Sequence, residues 1–176
     1  MPELLIVVAI IAVLVAIAIP IFNAQLEKSR EAYDVYTMRQ AASLVVQYYY
    51  DGVKDQASAE AVGLKWWDNH NVNENNAAGV YDPATGEFSP IRSTNAKKAY
   101  GKGTANKTGS KYTYNGSREI YVSDYDYTNA VIMVSLYPTG NNRRIDVYWK
   151  DISSGDYIGG KDGNNNPKYS LRISIE

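Results

Sequence analysis

Apolar and polar positions divide the chain into three zones with different periods. Residues 4–19 are apolar without a break, Pro20 follows, and Ile21 and Phe22 close the run. A helix over residues 4–22 measures roughly 28 Å at ~1.5 Å per residue, close to the ~30 Å hydrocarbon core of a bilayer. A secretory signal would be shorter, follow basic residues and end at small residues, whereas no Lys or Arg precedes Lys28. A core helix would show one apolar stripe rather than an unbroken run. The zone therefore predicts a membrane-spanning or filament-core helix. Glu3 at its head is a functional suspect, because a carboxylate persists in an apolar phase only with a partner.

The second zone switches to helical periodicity. Residues 25–31 are mostly polar, with Glu27 sharing a face with Arg30 and Glu31. Val35, Met38, Ala42, Val45 and Tyr49 then recur at three and four residues and lay down one apolar stripe. Asp51-Gly52 is the first terminator, so one helix over residues 2–50 is expected, about 70 Å long. Pro20 lacks an N–H and clashes one turn back, which predicts a kink or loosening around Ala16.

The third zone reads as a head. A short helix is expected over residues 58–67, with Ser58 as N-cap and Ala61, Val62 and Leu64 packing. Residues 68–116 are rich in Asn, Gly, Thr, Ser and Lys and predict long loops. Strand patterns follow at 119–124, 130–137, 144–150 and 168–175. Ile145, Val147 and Trp149 alternate with Asp146, Tyr148 and Lys150, and Tyr169, Leu171, Ile173 and Ile175 alternate with Ser170, Arg172 and Ser174. Turn residues at 138–142 and 153–167 connect them as an antiparallel meander with one apolar face. The expected fold is α+β: a long N-terminal helix whose C-terminal half packs on a four-stranded antiparallel sheet. Residues 1–24 form the bare helix and 25–176 the head, with the loop region at 51–118 and the sheet at 119–176.

The block ELLIVVAIIAVLVAIAIP from Glu3, followed by IFNAQLEKSREA, resembles the N-terminal segment of type IV pilins and of type II secretion pseudopilins. The match covers about thirty residues and joins a Glu heading the run, a late Pro and an abrupt polar switch. Family members carry a basic leader ending in Gly and a Phe before the Glu; here Met1 and Pro2 precede Glu3, which implies a shortened or altered start. The resemblance implies a structural subunit that leaves the cytoplasmic membrane and polymerises with identical subunits into a surface filament for adhesion, twitching motility or DNA uptake. It also implies a prepilin peptidase, N-terminal methylation and an assembly machinery as partners. The assembly residues would be Glu3, Leu4, Leu5, Ile6, Val7, Val8, Ile10, Ile11, Leu14, Ile17, Pro20 and Phe22. Glu3 would be neutralised by a neighbour's positive group, in the family the free N-terminal amine. Alternatives are a pseudopilin piston and a single-span anchored binding module.

Composition alters little of this. The formal net charge of −1 offers no electrostatic pull toward nucleic acid, and without cysteine the head holds its last strand by pairing and packing alone. Catalytic patterns fail on inspection, so no enzyme, cofactor or metal site is expected. GKGTANKT at 101–108 has Asn106 where a phosphate loop needs Gly. DGNNNP at 162–167 starts like a calcium loop but has Pro167 at the glycine position and Ile173 at the bidentate position. His70 is the only histidine. Asp124 and Asp126 would share a strand face, and Asn106 and Asn115 begin glycosylation triplets. The sixteen tyrosines fit strand packing and adhesive surface.

Overall fold

The computed structural model describes residues 1–68, 74–90, 109–116 and 118–176. Its first element, α1 (Pro2–Tyr50), begins with a proline in the first turn, where the missing N–H needs no partner. The helix continues through Pro20, and the turn containing Ala16 stays helical. One absent hydrogen bond is outweighed by the long propagated ladder on either side. The end matches the expected terminator: Asp51 N–H donates to Gln47 O, Gly52 N–H to Tyr49 O, and Gly52 takes φ +104°.

The short helix α2 (Gln56–Ala61) starts earlier than expected and is capped by Asp55, not Ser58. The Asp55 carboxylate accepts the Ser58 N–H at 2.9 Å while Ser58 Oγ accepts the Asp55 N–H at 3.3 Å, a reciprocal cap. Leu64 is fully buried as expected, but Ala61 is exposed and Ala59 is the buried residue of the helix. Trp66 and Trp67 belong to the first strand, β1 (Lys65–Trp67), rather than to the helix.

The head contains more strand than the sequence pattern predicted. β2 (Asn76–Asp82) and β3 (Glu87–Pro90) arise where loops were expected. β4 (Lys111–Tyr114) and β5 (Arg118–Val122) form a separate two-stranded sheet, so the strand expected at 119–124 is not in the main sheet. β6 (Ala130–Tyr137), β7 (Arg144–Asp151) and β8 (Leu171–Ser174) form the expected meander. The main sheet therefore has six strands, not four, in the order β1-β2-β6-β7-β8 with β3 sharing the β1 edge of β2. All pairings are antiparallel, with Val134 opposite Val147 at the centre of β6–β7.

The α1 stripe of Val35, Met38, Ala42, Val45 and Tyr49 is buried, joined by Ala41. It packs on Ile132, Val134 and Leu136 of β6, Ile145, Val147 and Trp149 of β7, and Leu171 of β8 within one core. The opposite face of the sheet is covered too, correcting the expectation of one apolar face. Val80, Val131, Met133 and Tyr148 form a second buried cluster with Tyr157 against it. Asp146, also on that face, is 3% exposed and receives Arg172 at 2.6 and 3.0 Å and Arg144 at 3.2 Å. This ion-pair group ties β8 to β7 in a chain without disulfides.

Candidate functional site

α1 is half covered and half bare. Residues 1–26 are all exposed, and Glu27 is the first buried position. Between Leu4 and Phe22, fourteen large apolar side chains are each 47–71% exposed. Covering even that many at ~1.5 kcal/mol apiece is worth on the order of 20 kcal/mol, so the surface demands an apolar partner. The bare half is long and apolar enough to cross a membrane. Every residue named as an assembly candidate, Glu3, Leu4, Leu5, Ile6, Val7, Val8, Ile10, Ile11, Leu14, Ile17, Pro20 and Phe22, lies in it and is exposed.

Glu3 sits at the far end of this surface. Its Oε2 accepts from the Met1 amine at 3.3 Å, with both side chains about nine-tenths or more exposed. In water such a pair is nearly worthless; in an apolar surround it becomes the dominant local interaction.

At the boundary between the two halves the charges of α1 sort by sign. Glu27 (5% exposed), Glu31 and Asp34 (both 0%) turn under the head. Lys28, Arg30 and Arg39 stay exposed. Each buried acid meets a donor: Arg30 Nη1 reaches Glu27 Oε2 at 3.2 Å, the Tyr112 hydroxyl donates to Glu31 Oε2 at 3.5 Å and the Tyr121 hydroxyl to Asp34 Oδ2 at 3.1 Å. Burial, then the Asp34 charge, pushes the Tyr121 hydroxyl far above the usual tyrosine range. Tyr112 is raised by burial and by Glu31. These contacts fasten the β4–β5 hairpin to α1. Within the mostly polar stretch 25–31, Glu27 and Glu31 are therefore buried, and no spacing rule would have found tyrosine partners some eighty positions away.

The remaining candidates have local roles. Asp162 Oδ1 accepts the N–H groups of Asn164 and Asn166, each at 2.9 Å, which holds its carboxyl below the usual range. The carboxylate thus closes its own turn. Asp124 and Asp126 lie in the exposed turn after β5 rather than on a strand face, and Asp126 accepts the Thr128 N–H. Asn115 is exposed at the β4–β5 turn with φ +51°. Among the described residues no group of three or more His, Cys, Asp or Glu is arranged for a metal ion. His70, Asn106 and the segment 101–108 lie outside the described residues. Of the tyrosines, Tyr121 and Tyr127 stack at 4.2 Å with 12° between planes, and Trp149 meets both edge-on inside the core.

No family model matches the chain, and no curated protein or solved structure matches it.

Proposed function

We propose that this chain is a structural subunit of a type IV pilus-like filament, held in a membrane by the bare half of α1 and polymerising through it. The observation that carries the reading is the pairing of a wholly exposed apolar half-helix with a single carboxylate at its tip. A lipid tether accounts for the apolar surface alone. A filament core accounts for both, because a buried carboxylate that must meet a positive group on a neighbour fixes one axial register out of many.

In this reading the same side chains face lipid first and sister helices afterwards. Van der Waals packing between helices then replaces packing against acyl chains. The head surrounds the core and presents its loops outward, where adhesion, motility or uptake of DNA would be served. The role is structural, not enzymatic, and force and processing belong to partner proteins. A secretion pseudopilin uses the same helix; abundance of the chain in long surface fibres separates the two.

Electron microscopy of material sheared from the producing cells, labelled with antibody to the head, tests the reading. Labelled thin fibres that disappear in a Glu3→Ala strain are expected. Head confined to the membrane, with no fibres in either strain, overturns it in favour of a tethered module.

A further inference from the structure

Building on the filament reading, we infer that neighbouring subunits pack in parallel with a stagger of about 25 residues, so that Glu3 of one copy meets Lys28 of the next. Two independent features of α1 converge on this offset.

The first is charge. Of the four acids on α1, only Glu3 is exposed; Glu27, Glu31 and Asp34 are turned into the head and its tyrosines. All three cations remain outside. The outward face of the second half thus carries three cations and no exposed acid, and the bare half carries one acid with no side-chain cation. Arg30 is engaged by Glu27. Lys28 and Arg39 make no ion pair with any other described residue.

The second is length, which chooses between them. Setting Glu3 against Lys28 shifts one helix by 25 residues, or ~38 Å, and lays residues 2–25 of one copy along residues 27–50 of the other. The bare half and the covered half are then coextensive. Setting Glu3 against Arg39 would shift the helices by 36 residues and leave the bare half from residue 15 onward beyond the end of α1 at Tyr50. At the 25-residue offset Val8 falls level with Tyr33 and Ile11 with Tyr36, two tyrosines that are 49% and 56% exposed and lie outside the core. Aromatic rings at those two levels give Val8 and Ile11 an apolar contact. A parallel contact of this kind joins different faces of two copies and does not close, so it propagates as a fibre.

The chain has no cysteine, which makes the test direct. Val8→Cys and Tyr33→Cys are introduced together in the full-length chain, fibres are assembled and oxidised, and multimers are read on a denaturing gel. On one helix these positions are ~38 Å apart, so only an intermolecular bond forms. A ladder of covalent multimers is expected, absent from either single variant and from a Val8→Cys, Gln47→Cys pair of different offset. As an independent arm, Glu3→Lys should abolish fibres and the double variant Glu3→Lys, Lys28→Glu should restore them. Wild-type fibres with no Val8–Tyr33 ladder, or with no rescue by the charge exchange, overturn the stagger but leave the filament reading standing. Failure of the wild-type chain to form fibres at all overturns both.

Discussion

Single residues carry constraints that their neighbours in sequence do not announce. Gly63 follows α2 with φ +82°, and its N–H closes the helix on Glu60 O. A Cβ there would run into the backbone carbonyl of Phe88, which cannot move without shifting β3. Gly63→Ala is expected to destabilise the head by about 2–3 kcal/mol, since an unfavourable φ and a backbone clash add. Urea unfolding of the full chain in mild detergent, followed by tryptophan fluorescence, measures this; an effect under about 0.5 kcal/mol would mean the turn is freer than its geometry implies. The position of Glu3 was legible in the sequence because an acid heading an apolar run stands out. The burial of Glu27, Glu31 and Asp34 was not legible. The tyrosines that meet Glu31 and Asp34 come from the β4–β5 hairpin, far away in sequence.

At the scale of elements, alternation revealed β6 and β7 because both faces of those strands are bulky and regularly patterned. β2 escaped notice because its centre, Ala77, Ala78 and Gly79, is small, and Gly79 is packed against the Leu64 side chain. β3 is four residues long and directly follows the turn formers Pro83 and Gly86. β5 was found as a strand but assigned to the wrong sheet, since periodicity identifies a strand without naming its partner. The attachment of β8 rests on Asp146, which is nearly solvent-free and serves Arg172 and Arg144 together. Removing one member of a buried ionic group leaves the others uncompensated. Asp146→Ala is therefore expected to cost about 3–5 kcal/mol, with β8 amides losing exchange protection before those of β6. Equal loss across both strands would argue that β8 is held by Leu171 and by Ile175 just past its end instead.

For the whole molecule, the division is into a bare half-helix and a covered half whose head carries the buried core. Tyr121, Tyr127 and Tyr148 are buried in the head, and burial raises all three above their ordinary value of 10.0. Below pH ~10 both folded and unfolded chains keep these hydroxyls protonated, so their contribution is fully present. Above it the unfolded chain releases protons that the folded head retains, and stability falls as pH rises. The melting temperature is expected to change little on this account between neutrality and pH ~10 and then drop. Spectrophotometric titration showing all sixteen tyrosines ionising together near pH 10 in the folded chain would contradict it.

In the filament reading the bare half of α1 buries itself against its own copies in an extended, open-ended array. Cryo-electron microscopy of the purified full chain after detergent removal addresses this most directly. Thin helical rods with the apolar halves at the axis and heads outside are expected, formed by the wild-type chain and not by Glu3→Ala. Rosettes of heads around a closed apolar centre, the same for both chains, would contradict it, because a tail that merely hides from water needs neither register nor Glu3.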